Sequence, residues 1–409
     1  MQQSQEIPHL ERSNATPAAK APPQASMAGQ RRLPKYTARP GSLPAEAERV
    51  IDPPTHCEAE GMGYQLNPSP GFRDWLSVYG IGLAFSTYEL GRVIMLGAGE
   101  SGLAVADAGF DSAMALLAGT RGLYLSTHDR VLRFENALLD GGTYRGADRL
   151  YLPRESHMTG GIDVHDLDID WSGKVLAVAT LYNCIAALDR QGQIVPLWRP
   201  RFIDAHVAED RCHLNGFCTV DGRPAYASLI GASNDKDGWR EHRVAGGQVI
   251  DVQAQNVVAS HLSMPHSPRV YRKKLWVLES GSGWFGWVDL ERRRFERFVW
   301  LPGFLRGLRF VGDYAVIASS APRNSLFTGL PLQEELAWRG VWPVTGVHVV
   351  NMTTGEIEHR LTVSGTVREI YDIAILPGAV APRLAGPGAE AAMLGGEPAT
   401  AVHPDVARQ

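Results

Sequence analysis

Short apolar, β-branched runs alternate along this chain with polar turns, and the same phrase returns with variation: LAFSTYELGRVIML, GLYLSTHDRVLRFENAL, VLAVATLYNCIAALDRQGQIVPLW, KLWVLESGSGWFGWVDLERRRFERFVW, YAVIASS and GVHVVNMTTGEIEHRLTV. Each phrase predicts paired strands. Strands are read at 83–87 and 92–96, at 122–127 and 131–134, and at 174–180, 184–188 and 193–198. The turn that closes a phrase is an Asp or Asn, a short linker, usually a Gly, then a strand, as at Asp189, Asp289 and Asn351. Such residues bond their own backbone and favour turns. One short helical turn is expected at 72–79, an excursion between strands at 106–118, and a long insert at 319–347.

Strand pairs recurring every 40–50 residues or so predict a β-propeller. Units beginning near 80, 122, 165, 213, 266, 307 and 369 give six or seven blades of one all-β ring over 46–378. Closing that ring needs strands from both ends of the region, which removes exposed sheet edges. Residues 1–45 lack periodicity and read as a disordered or loosely packed tail. Residues 379–409 read as a second, Pro/Gly/Ala-rich tail, part of it lying across the propeller surface.

Composition narrows the partners. The chain has 409 residues, 44% hydrophobic, and a formal net charge of −4, which gives no reason to expect nucleic acid. The basic run Arg292–Arg294 sits beside Glu291 and Glu296 and reads as a solvated turn. The four cysteines, Cys57, Cys184, Cys212 and Cys218, make no disulfide framework, and their spacing around His213 matches no closed zinc motif. The N-terminus has no apolar core of a signal peptide, and no stretch approaches the ~20 apolar residues that span a membrane. Cytoplasmic residence and no membrane partner are expected, and the oligomeric state is left open.

Candidate chemistry lies where the strand units begin. His165, His213 and His266 precede successive units, 48 and 53 residues apart. In a propeller such positions point to a shared axis, so three imidazoles there predict one divalent transition metal, iron first, then Zn, Cu or Mn. Asp163, Asp166 and Asn215 adjoin them, and Asp166 is placed to orient an imidazole. Arg306, Arg368, Glu369 and Asp372 occupy the matching places later in the chain. Arg269 follows in a loop stiffened by two prolines. Arg269 and Arg368 are expected to fix an anionic group, with Glu369 or Asp372 moving protons. Arg306, Trp284 and Asn215 are expected to touch substrate, and His128 to lie on a turn. A metal-free polar pocket of His165, His213, His266 and Arg269 is the bland version of this site.

The stretch 75–372, with DVHDLD, HLNG, MPHSPR, LWVLESGSG, PGFLRGL and REIYD, resembles an uncharacterised bacterial family of conserved hypothetical β-propeller proteins. The resemblance implies the fold and brings no established reaction. Carotenoid oxygenases hold an axial iron with four histidines, and this chain offers three. Calcium-centred lactonase-type propellers use Glu, Asn and Asp, a pattern from which it departs further. The expectation is a metal-dependent enzyme working on a small or peptide-like substrate in the axial pocket, with oxidation favoured over hydrolysis. The rival is a non-catalytic propeller that binds a protein, peptide or sugar through Trp239, Trp284 and Trp287.

Overall fold

A computed structural model describes residues 57–58, 63–189, 193–321 and 328–386. Its strands form six sheets, one blade each, so the count of six or seven resolves to six. The innermost strands, in ring order, are Leu116–Gly119, Val164–Ile169, Leu214–Val220, Pro265–Tyr271, Phe304–Val311 and Asp372–Pro377. Each packs against the next, and the last packs against the first, which closes the ring around one axis. The blades are called first to sixth in that order.

Closure merges two of the seven sequence units. The unit expected near 369 supplies the inner strand Asp372–Pro377 of the sixth blade. That strand pairs antiparallel with Ile81–Thr87, the unit expected near 80. A second lock lies in the fifth blade, where Tyr64–Pro68 pairs with Ile357–Gly365. Pairing also passes residue 378: Pro382–Leu384 runs parallel to Arg149–Met158 on the first blade. The stretch 106–118 is more strand than an excursion would allow. It contains the end of Leu103–Gly109 and the start of Leu116–Gly119, the four-residue inner strand of the first blade. With so few residues and a Gly at its end, that strand carries little alternation to read. The tail expected over 1–45, and the part of the C-terminal tail from 387 onward, lie outside the described residues.

The core sits between neighbouring blades. Leu176, Val178 and Ile185 of the second blade, for example, pack on Leu214, Phe217, Ala227 and Leu229 of the third. The helix Phe72–Tyr79 forms where expected, ends on Gly80 at φ 59°, and buries Phe72, Trp75 and Leu76. The closing turns behave as their sequence implies. Asp189, Asp289 and Asn351 each accept backbone N–H bonds from residues two to four further on. Asp251, not singled out in the sequence, does the same. No helix among the described residues is long and apolar enough to cross a membrane.

Candidate functional site

Four inner strands carry one extra residue at the axis. The register slips between Val164 and Leu167, Leu214 and Gly216, His266 and Arg269, and Arg306 and Leu308. Bulges of this kind re-aim side chains, and they recur beside active sites. Here they turn His165, Asp166, Asn215, His266, Ser267, Arg306 and Gly307 into a small axial cavity, which Tyr371 and Asp372 complete. Its volume is about 10 Å³, room for about one water molecule. Four of the fourteen non-glycine residues with left-handed backbone among the described residues flank or line this site. Asp163, His213, Met264 and Ser267 all have left-handed φ, between 46° and 59°, which L-residues adopt at a cost.

Each of the three histidines is anchored through Nδ1. His165 Nδ1 lies 3.2 Å from the Asp163 carbonyl, and His266 Nδ1 lies 2.9 Å from the Met264 carbonyl. A carbonyl only accepts, so both Nδ1 atoms carry the proton and both Nε2 atoms present a lone pair. His213 Nδ1 lies 2.6 Å from Asp210 Oδ2, and the other oxygen of Asp210 accepts the His213 backbone N–H. One aspartate thus fixes both the ring and the left-handed backbone. The His165 and His213 rings meet edge to face at 4.7 Å, and Tyr371 lies 5.7 Å from His165.

Burial sets the electrostatics. It pulls His165 down to about 4, with His213 and Arg306 pulling further against Asp163. It lowers His266 well below the usual imidazole value, and Arg306 adds to that. It raises the Tyr371 phenol, which therefore stays protonated. Burial also opposes ionisation of Asp210, yet the charge and hydrogen bond of His213 hold its carboxyl below the ordinary range. His266 Nε2 and the Tyr371 hydroxyl are buried without a hydrogen-bond partner. Apolar rings enclose the group: Trp239 lies 4.3 Å from His213, and Phe304 lies 5.4 Å from His266.

Beneath the cavity the charges are paired. Arg269 makes a two-pronged bond to Asp166, at 2.9 and 2.8 Å, and bonds the Phe217 carbonyl. Asp166 in turn accepts the Phe217 N–H. Against the pull of burial, Asp166 keeps Arg269 firmly charged. Asp372 accepts the Leu116 N–H and pairs with Arg309, which also bonds the Leu116 carbonyl. Burial pushes the Asp372 carboxyl up, while Arg309 works the other way.

The structure therefore divides the residues expected at the site. His165, His266, Asn215, Arg306 and Asp372 line one cavity, and His213 stands against His165. The Asn215 amide is engaged at both ends, with the Pro265 carbonyl and with Ser228. Arg269 lies in its ion pair with Asp166. Arg368 is exposed, and Glu369 is buried with its carboxylate on the N–H groups of Tyr88 and Glu89. Trp284 bonds Glu335 of the helix Pro331–Arg339 and does not line the cavity. Among the described residues, no three His, Cys, Asp or Glu groups are placed to hold a metal ion. The rings have separate neighbours: His213 has Asp210 and Trp239, and His266 has Met264 and Phe304. Asp210, Tyr371 and Arg309 were not legible as site residues. Only the φ-reversing approach before His213, and a Tyr beside an inner-strand Asp, hinted at the first two.

Solved structures show similar architecture. A nidogen/laminin complex chain matches at TM-score 0.47 and 11% identity, over 73% of this chain and 99% of that one. A protein of unknown function from Bacteroides caccae matches at 0.44 and 12%, over 72% and 98%. Virginiamycin B lyase from Staphylococcus aureus matches at 0.36 and 12%, over 58% and 73%. Among curated proteins no sequence match is found. A family model described as a domain of unknown function, DUF4915, matches residues 70–384. That agrees with the resemblance to an uncharacterised propeller family, and the chain belongs to the DUF4915 family.

Proposed function

We propose that the axial cavity, together with His213 standing against its His165 wall, is the active site of an acid–base enzyme acting on a small polar substrate. The observation that carries this reading is the 2.6 Å contact between Asp210 Oδ2 and His213 Nδ1. A carboxylate on Nδ1 fixes the tautomer, leaves Nε2 to accept a proton, and stabilises the imidazolium that results. The protonated Tyr371 hydroxyl supplies the acid. His213 removes a proton from a substrate carbon while Tyr371 donates to the oxygen that gains charge, and the proton later returns to carbon. The enclosing rings exclude water, which strengthens each of these interactions.

Isotope exchange tests this before any product is identified. In D2O, with a panel of small carbonyl and carboxylic compounds, the wild type should wash deuterium into a carbon position. Asp210→Asn should slow that exchange by about 10²–10⁴-fold, and His213→Gln should abolish it. Exchange undiminished in either folded variant, or none by the wild type across the panel, contradicts the reading.

A metal-centred version is a second reading, favoured by one observation. Histidine ligands of metals usually have their other ring nitrogen tied to a carbonyl or carboxylate, as all three have here. A stoichiometric Fe, Zn, Cu or Mn in protein purified without added metal, lost with a His165/His213/His266 triple-alanine variant, would favour it over the first.

A further inference from the structure

Arg306 differs from the other arginines of the axis. Arg269 has Asp166 and Arg309 has Asp372, each at hydrogen-bond distance. Arg306 makes no ion pair among the described residues. Its guanidinium lies over the Tyr371 ring, 4.4 Å from the centroid, and 5.8 Å from that of Phe304. The two carboxylates in the cavity wall, Asp166 and Asp372, are already neutralised by Arg269 and Arg309, so the half-buried Arg306 leaves the cavity with a net positive charge that an anion would balance.

Two buried polar atoms of the cavity residues also lack partners, and they ask for different things. The Tyr371 hydroxyl can donate, whereas His266 Nε2, with its proton on Nδ1, can only accept. The cavity thus offers a cation and a donor for an oxyanion, and an acceptor for a neighbouring hydroxyl. Its volume of about 10 Å³ admits one small group such as a hydroxyl, so a larger group of the same ligand would stay at the mouth, where the half-buried Arg306 is reachable.

We propose that this cavity takes a small hydroxy acid, its carboxylate on Arg306 and Tyr371 and its hydroxyl donating to His266 Nε2. The assignment rests on the acid–base reading of the same site and names its substrate class. Asn215 and Asp166 are excluded as recognition groups because their polar atoms are already engaged.

Calorimetric titration with glycolate, acetate and inorganic phosphate tests it. Glycolate should bind saturably and more tightly than acetate, and phosphate should bind least. Arg306→Gln should weaken glycolate binding on the order of tenfold or more, and Arg306→Lys should recover part of it. Thermal unfolding of Arg306→Gln should show an intact fold, since the substitution removes an unpaired charge. His213→Gln, which disables proton transfer, should still bind glycolate, so the two readings fail separately. Equal binding of acetate and glycolate would overturn the role of His266. Tighter binding of phosphate would overturn the carboxylate. No glycolate binding, or binding indifferent to Arg306→Gln, would overturn the proposal.

Discussion

A buried histidine with one bare ring nitrogen records in its titration what burial costs, and His348 does so away from the axis. Its Nε2 lies 2.9 Å from the Ser319 hydroxyl, whose own proton goes to the Val344 carbonyl. Nε2 is therefore the donor, and Nδ1 is buried without a partner. Burial, with some help from Arg360, lowers this imidazole to about 3. The unfolded chain, titrating near 6.5 or so, binds the proton that the native ring refuses. The stability this ring contributes is thus fully present above about pH 6.5 and is lost as pH falls towards 3. Within that window the loss approaches about 1.4 kcal/mol per pH unit. Urea unfolding at pH 7 and pH 5 should show a smaller acid loss for His348→Gln than for wild type. An unchanged difference would contradict the burial argument. Unlike His165, His213 and His266, His348 stands before no strand unit and is not singled out in sequence. Its partners come from the neighbouring strand and the insert, and proximity of that kind is not written locally.

At the scale of strands, the bulges decide which side chains reach the axis. Without the extra residue, strict alternation would send His165 and Asp166 to opposite sides, and likewise His266 and Ser267. All four instead line the cavity. Gly307 shows what such a bulge requires. Its φ is +63°, and a Cβ there would lie 2.8 Å from the Ile373 nitrogen and 3.0 Å from Asp372 Oδ1. Gly307→Ala should cost about 1–3 kcal/mol by thermal unfolding and displace Arg306. A variant as stable as wild type would mean the close approach of the fifth and sixth blades is slack. The closing turns were legible because an Asp or Asn acts within four residues of itself. The bulges were not, because an inserted residue in PHSPR or FLRGL looks like any other until its partner strand is known. The approach histidines were found because each precedes a strand unit, 48 and 53 residues apart along the chain. Asp210 was missed because an acid three residues before a histidine is common on surfaces.

At the scale of the ring, two clamps divide six blades into two halves. Asp166, the Phe217 peptide and Arg269 tie the second, third and fourth blades. Arg309, Asp372 and the Leu116 peptide tie the fifth, sixth and first. Each clamp joins a carboxylate and a guanidinium through the backbone N–H and C=O of one residue, and both carboxylates form part of the cavity wall. The partners Asp166 and Arg269 are 103 residues apart, so the pairing that occupies Arg269 exists only once the second, third and fourth blades have packed together. Closure itself was legible from the repeat, as was the gathering of His165, His213 and His266 from successive blades. Its consequences were harder to read, because they depend on which acids the other arginines take. Arg306 is left without an acid, and Tyr371 roofs the same space.

The central claim is that the closed ring presents these three imidazoles to the axis with their protons on Nδ1. Long-range 15N–1H NMR of imidazole nitrogens at neutral pH, assigned with single His→Gln variants, reads this directly. The account predicts a protonated Nδ1 at His165, His213 and His266, an unprotonated Nε2 at His165 and His266, and shifts at His213 when Asp210 is replaced by Asn. A proton on Nε2 of His165 or His266, or a His213 signal indifferent to Asp210, would contradict it.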